Sequence, residues 1–248
     1  MALCCNSLHD ILEAFSGVSS IREEKQKYME LACQFEKIAK GVFFGGCFQI
    51  NDIRRIYPLE IEFYYHEESP NGLKDPVMYH TSDRTKKTNL GYYPLGSLNF
   101  HVSGMDVTFE KESDYRASFL IREYQVLDWV DGEWVPRKET NGNHPTYIYE
   151  DMLMGFPIFE GISIQWITEQ ENEEDWRLFI QHRINVAEYQ KDDDGKYVKD
   201  KKGNYIKEEI SKAMFGRLSQ TDQKNYFKYS GKIFKQCTRP WNYRKVKA

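Results

Sequence analysis

Residues 59–66, Leu-Glu-Ile-Glu-Phe-Tyr-Tyr-His, alternate between two kinds of side chain. The odd positions are apolar or aromatic, and the even positions are Glu60, Glu62, Tyr64 and His66. Successive side chains of a β-strand point to opposite faces of a sheet, so this pattern predicts a strand with two carboxylates, a phenol and an imidazole on one face. Half-exposed strands often alternate in this way. A solvent-exposed face and the floor of a pocket therefore both fit the pattern.

The rest of the chain predicts a mixed fold that begins with helices. Ser7 is placed to cap a first helix, and Ser19 or Ser20 a second one that ends at Gly41. Beyond Gly41 the sequence becomes rich in short strands, including a hairpin that turns at Asp131-Gly132, and residues 145–155 predict one further short helix. We therefore predict a single α+β domain with N-terminal helices and a curved, mostly antiparallel β-sheet.

Four segments divide this domain, which covers residues 1–248. N-terminal helices occupy 1–40, and the core with the expected site occupies 41–190. The third segment, 191–210, contains two similar stretches, DDDGKYVKD and DKKGNYIKE, and is predicted to form a charged β-hairpin. The last segment, 223–248, is basic and aromatic.

Composition predicts a soluble intracellular protein. The five cysteines lack a C-x-x-C spacing, which favours reduced thiols over a disulfide framework or a zinc site. The first residues lack the pattern of a signal peptide, and the sequence contains no apolar run long enough to span a membrane. We expect a cytoplasmic monomer that needs no metal or cofactor and has no membrane partner.

The C-terminal segment carries eight basic residues and no acidic one, although the whole chain has a net charge of -4. Aromatic side chains that can stack on bases lie between the basic residues. This arrangement predicts contacts to DNA phosphates by Lys228, Lys232, Lys235, Arg239, Arg244 and Lys245. The alternative is a solvated helix face, because Lys224, Lys228 and Lys232 are four residues apart.

Common catalytic motifs such as G-x-x-x-x-G-K-[ST], H-E-x-x-H and G-x-S-x-G are absent from the sequence. The remaining candidates lie between residues 57 and 122. Arg122 belongs to a mostly apolar strand, so we expect it to pair with Glu60 or Glu62. A metal site built from His66, His80 and His101, supplemented by Asp75 or Asp106, is a further possibility.

Several segments, taken in order, resemble the methylpurine-DNA glycosylase (alkyladenine DNA glycosylase) family. Its E-x-E-x-Y signature matches Glu60-Ile61-Glu62-Phe63-Tyr64, and its following Asp and His match Asp75 and His80. The segments GSLNFHVSGM, FLIRE and PTYIYEDMLMG are similar to its later elements. The resemblance covers residues 57–155 and becomes faint beyond them.

The resemblance implies a hydrolase of base-excision DNA repair that cleaves the N-glycosidic bond of a damaged or modified base. Glu62 would activate water, and Arg122 would hold Glu62 or that water. Tyr64 and His80 would stack on the flipped base, and Glu60 and His101 are expected to line the same substrate site. Ser103 stands where the family has a Tyr that enters the duplex. This difference favours the alternative of a non-catalytic module that binds a nucleic acid, a nucleotide or a protein.

Overall fold

A computed structural model describes residues 7–75, 78, 91–101, 103–137, 145–153, 161–183, 188–217, 223, 227–229, 232–235 and 239–248. Within these residues the protein is a single α+β domain in which helices cover a curved antiparallel sheet, as predicted. The helices are α1 (Leu8–Glu13), α2 (Glu24–Phe44), α3 (Ile148–Leu153) and α4 (Lys212–Gly216). None of these described helices is long and apolar enough to cross a membrane.

The described strands are β1 (Gly46–Ile50), β2 (Arg54–Glu67), β3 (Leu98–His101), β4 (Gly104–Thr108), β5 (Tyr115–Val130), β6 (Glu133–Pro136), β7 (Ile164–Thr168), β8 (Trp176–Gln181), β9 (Phe227–Tyr229), β10 (Lys232–Phe234) and β11 (Asn242–Lys247). Nine of them form one sheet with the central order β3-β4-β5-β2-β1-β7. β6 pairs with β5, β11 pairs with β2, and β8 pairs with β11. The remaining two, β9 and β10, pair with each other.

The N-terminal helices cover one face of the sheet. As predicted, Ser7 caps α1, with a capping box completed by Asp10. The predicted start and end of α2 are wrong, because the helix begins at Glu24 and continues past Gly41 to Phe44. Gly41 is needed inside the helix rather than at its end, since a Cβ there would lie 2.9 Å from the side chain of Ile11. The buried side chains of α2 pack against β2, β1 and β11 and form part of the hydrophobic core.

The long strand β2 changes neighbours along one of its edges. It pairs with β1 through residues 54–56 and with β11 through residues 60–62, while β5 pairs along the whole of its other edge. The pairing with β5 is irregular between Pro58 and Ile61, which is typical of a β-bulge. This exchange of neighbours brings the C-terminal strand β11 next to Glu60 and Glu62.

The predicted hairpin turn and the predicted short helix at residues 145–155 are confirmed, and the predicted helix face in the basic segment is wrong. The turn at Asp131-Gly132 joins β5 to β6, and a 3-10 turn at Pro145–Tyr147 leads into α3. In the basic segment, β9 and β10 form a strand pair, so the alternative of a solvated helix face is wrong.

The prediction of one hairpin at 191–210 is also wrong, because the segment makes two successive tight turns of the same kind. Asp192 and Asp200 each accept backbone hydrogen bonds across their turns, and Gly195 and Gly203 adopt positive φ angles. The backbone N–H of Gln190, Val198 and Ile206 then donates to the carbonyl of Ile206, Gln190 and Val198 respectively. Three short segments therefore close into a ring, which packs the rings of Tyr189, Tyr197 and Tyr205 together.

Candidate functional site

The even-numbered side chains of β2 lie on the sheet face opposite α2. The odd-numbered residues Ile61, Phe63 and Tyr65 belong to the core beneath the helices. Glu60, Glu62 and His66 are buried on the other face, with 6%, 0% and 3% of their surfaces exposed. The alternation was therefore predicted correctly, but a solvent-exposed face is excluded.

Glu62 is held by donors from its own strand and from β5. Its Oε1 accepts a hydrogen bond of 2.5 Å from the hydroxyl of Tyr64 and forms an ion pair of 2.6 Å with Arg122. The same guanidinium nitrogen of Arg122 lies 3.4 Å from the Tyr64 hydroxyl. The predicted pairing of Arg122 with one of the two acids is present, and it selects Glu62. Two short bonds to one oxygen fix the orientation of this carboxylate.

A side chain that the sequence did not single out, Asn242 on β11, connects the two acids. Its Nδ2 donates to Oε1 of Glu60 over 2.8 Å and lies 3.4 Å from Oε2 of Glu62. Its Oδ1 accepts a hydrogen bond of 2.9 Å from Gln181 on β8. Glu60 also pairs with Arg244 at 3.7 Å. The sequence did not predict a strand here, and local patterning does not identify a partner strand.

The electrostatic surroundings keep the donors of Glu62 in their hydrogen-bonding forms. Burial, followed by the negative charge of Glu62, raises the pKa of Tyr64 well above its usual value. Burial by itself would lower the pKa of Arg122, but the carboxylate of Glu62 outweighs this effect and the pKa is raised. Tyr64 therefore keeps its proton and Arg122 its charge at neutral pH. Burial also raises the pKa of Glu60, while Asn242 and Arg244 act in the opposite direction.

Arg183 forms a second, deeper ion pair beside this group. It binds Asp75 through two nitrogens, at 2.7 and 3.3 Å, and both side chains are fully buried. Its guanidinium lies 5.2 Å from the centre of the Tyr64 ring and 5.3 Å from that of Trp241. Asp75 had been a candidate from the sequence, whereas Arg183 was not. One wall of the site is therefore a buried ion pair next to the Tyr64 ring.

The three histidines of the proposed metal site have different surroundings. Nδ1 of His66 accepts a hydrogen bond from the backbone N–H of Asp75, and burial lowers the pKa of its imidazole. His101, at the end of β3, lies 3.4 Å from Asp106 through Nε2. His80 lies outside the described residues. Within the described part of the chain, no cluster of three or more His, Cys, Asp or Glu side chains has the geometry of a metal site.

The basic residues predicted to contact DNA form ion pairs with carboxylates of the same chain. The described pairs are Lys232–Glu209, Lys235–Glu188, Arg239–Asp75, Arg244–Glu123 and Lys245–Glu171. The position of the Lys228 side chain is outside what the structure describes. Folding therefore brings acids from other segments against a run that is purely basic in sequence.

Lys245 differs from the other members of this group because it is buried. Its ammonium binds Glu171 and the carbonyl of Phe43 at the end of α2, and burial lowers its pKa. It lines a cleft of about 220 Å³ with Trp176 and Tyr57, where β2 changes neighbours. This cleft is separate from the group around Glu62.

No family model, curated protein or solved structure matches the chain. The resemblance to the methylpurine-DNA glycosylases therefore stays a prediction from the residues quoted above. The site is defined by its geometry alone: a buried carboxylate with an arginine, a phenol and an amide around it, on the face of the sheet opposite the N-terminal helices.

Proposed function

We propose that this protein is a glycosylase-like hydrolase that cleaves the N-glycosidic bond of a damaged or modified base in DNA. The observation that carries the proposal is the fixed position of Glu62, between the guanidinium of Arg122 and the hydroxyl of Tyr64 on the buried polar face. The proposal takes DNA as the partner, and it takes the protein to act as a cytoplasmic monomer.

A carboxylate close to the sugar promotes cleavage of an N-glycosidic bond. As the bond breaks, positive charge develops on the sugar ring, and a nearby carboxylate stabilises this charge. The same carboxylate can remove a proton from the water that attacks C1′. Glu62 fits this role because Arg122 and Tyr64 both bind Oε1 and thereby orient the group.

The test is cleavage of DNA oligonucleotides that carry one 7-methylguanine or one hypoxanthine. After incubation with the protein, alkali converts each abasic site into a strand break that a gel reveals. We expect cleavage by the wild type, and a rate that falls about 10²- to 10⁴-fold in Glu62→Gln, the range usual for loss of a general base. Absence of breaks with the wild type, or equal breaks with Glu62→Gln, would rule out the proposal.

Glu67→Gln is the matched control for this test. Glu67 is a fully buried carboxylate on the same strand, but it lies on the opposite face and pairs with Lys27. Its replacement is expected to lower stability while the folded fraction keeps its activity. A loss of activity equal to that of Glu62→Gln at full folding would show that the assay reports general damage to β2.

A second candidate is a non-catalytic binding module on the same fold. Two observations favour it: Glu62 has no exposed surface, and five described basic residues of the C-terminal segment are already paired with acids. Fluorescence anisotropy with the same oligonucleotides at low salt separates the two candidates. Equal binding by the wild type and Glu62→Gln, without any product, would support the binding module.

A further inference from the structure

The cleft at the C-terminal end of α2 lies outside the candidate catalytic site and contains a buried ammonium group. Lys245, on β11, lines this cleft, and only 3% of its side chain is exposed. Its Nζ donates a hydrogen bond of 3.0 Å to the carbonyl of Phe43 and forms an ion pair with Glu171. A buried ammonium requires an anion beside it, because water no longer stabilises its charge.

Glu171, the anion of this pair, lies at the edge of the cleft. Its side chain is 39% exposed, and Lys245 is its only side-chain partner within the described part of the chain. Its backbone N–H donates to the carbonyl of Phe44, so the main chain stays attached to α2 whichever way the side chain points. A partly exposed carboxylate can rotate into water at small cost. A carboxylate from outside can therefore replace Glu171 on Lys245 without changing the charge of the cleft.

The walls of the cleft favour an aromatic ring attached to such a carboxylate. Nζ of Lys245 lies 4.4 Å from the centre of the Trp176 ring and 5.1 Å from that of Phe44. Leu59 and Leu127 line the cleft beside these rings. Its volume of about 220 Å³ is below the range of roughly 300–1,000 Å³ that is usual for drug-sized ligands. The cleft therefore has room for a small ligand with one ring.

A second acid of the cleft limits the charge of the ligand. The two oxygens of Glu169 are bound by Arg55 at 2.6 Å and by the hydroxyl of Tyr57 at 2.7 Å, so this acid is fixed in place. Its negative charge opposes a second anionic group in the cleft, and so does the partial negative charge at the C-terminal end of α2. Phosphate monoesters and dicarboxylates therefore fit less well than a monocarboxylate.

We propose that this cleft binds a small aromatic monocarboxylate, whose carboxylate replaces Glu171 on the ammonium of Lys245 and whose ring lies against Trp176. Glu171 is then an internal competitor, which pairs with Lys245 in the free protein and turns into water when the ligand binds. The binding is non-covalent and uses no side chain of the group around Glu62. It does not rest on the hydrolase function proposed above.

The experiment measures binding of phenylacetate to the wild type by isothermal titration calorimetry. Two related compounds show which part of the ligand is recognised: phenylacetamide keeps the ring but has no charge, and acetate keeps the charge but has no ring. We expect each of them to bind at least about tenfold more weakly than phenylacetate, because each loses either the charged hydrogen bond or the burial of the ring. This comparison needs no variant.

Variants of the two members of the ion pair should have opposite effects on binding. Glu171→Gln removes the internal competitor, so phenylacetate should bind about tenfold or more tightly. Lys245→Met removes the cation and should weaken binding about 10- to 100-fold. Met keeps an apolar stem in the core, and the exposed Glu171 is not left as a buried charge. Glu174→Gln, an exposed acid of the same loop that does not line the cleft, is the control and should bind like the wild type.

The opposite signs distinguish a ligand site from a purely structural ion pair. A structural pair would lose stability in both variants and bind phenylacetate in neither. Absence of binding to Glu171→Gln therefore overturns the proposal. Equal binding of phenylacetate and phenylacetamide by the wild type also overturns it, as does unchanged binding by Lys245→Met. Cleavage of oligonucleotides is not measured, so each result leaves the proposed hydrolase function as it stands.

Discussion

Glu62 and Glu67 are two fully buried carboxylates on one strand, five residues apart, and they lie on opposite faces of the sheet. Each forms a short ion pair, with Arg122 and Lys27 respectively. They differ in what their partners connect. Burial and ion pairing alone therefore do not distinguish a candidate catalytic acid from a structural one.

Glu67 links three parts of the fold. Its Oε2 binds the ammonium of Lys27 on α2 at 2.5 Å and the backbone N–H of Leu73 at 2.7 Å. A Cβ at Gly72 would lie 2.4 Å from the side chain of Glu67, so the loop after β2 closes tightly over this acid. All of these partners belong to the packing of α2 and the loop against β2. Glu67 thus acts as a structural connection.

Glu62, by contrast, is bound by side chains of the sheet itself. Tyr64, Arg122 and Asn242 come from β2, β5 and β11. Arg122 keeps 18% of its side chain exposed, whereas Lys27 keeps 9%. The polar groups around Glu62 orient a charge on one face of the sheet, as expected for a preorganised site.

The largest effect on the free energy of unfolding is expected from replacing Lys27, because this removes the ion pair of the structural acid Glu67. Lys27→Met leaves the carboxylate of Glu67 buried without its cation, a change that costs about 3–5 kcal/mol. Unfolding by urea, followed by circular dichroism, measures this loss. The double variant with Glu67→Leu should recover much of it, because the unpaired charge is then gone. A loss below about 1 kcal/mol in Lys27→Met would mean that the pair is not a structural connection.

A smaller effect on the free energy of unfolding is expected from replacing Asn242, which binds the candidate catalytic acid Glu62. Asn242→Ala removes the donor shared by Glu60 and Glu62 and leaves Gln181 without its acceptor, at a cost of about 1–3 kcal/mol. Because Glu62 would lose part of its orientation, cleavage of the oligonucleotides should also slow in the folded fraction. Gln181→Ala, which removes only the outer contact, is the matched control and should change both properties less. Equal activity in the wild type and Asn242→Ala would exclude a role in positioning Glu62.

The features of the site that depend on neighbouring residues could be predicted from the sequence. Alternation placed Glu60, Glu62, Tyr64 and His66 on one face because the period of a strand is set by the backbone. Arg122 could be matched to an acid because a buried guanidinium requires one. The α+β class and the turn at Asp131-Gly132 followed from similarly local signals.

The contacts between residues that are distant in the sequence could not be predicted. Asn242 and Arg183 reach the site from chain segments more than 100 residues away, and periodicity does not specify which strands become neighbours. Gly41 predicts a helix end, but close packing against Ile11 overrides that tendency. The basic C-terminal segment pairs with acids from distant segments, and its own sequence does not indicate them.

The smallest expected effect concerns His66 and its dependence on pH. Burial, and then the charge of Lys74, lowers the pKa of His66 below the ordinary value of 6.5. Between the folded pKa and 6.5 the unfolded chain binds more protons than the folded one, so the free energy of unfolding falls as the pH falls through this window. His66→Gln keeps a side-chain acceptor for the N–H of Asp75 but does not titrate there. Urea unfolding at pH 7.5 and at several values below 6.5 should show a shallower decline for this variant than for the wild type. Parallel declines would mean that His66 is as easily protonated in the folded protein as in the unfolded chain, and that the polar face near Asp75 is open to water.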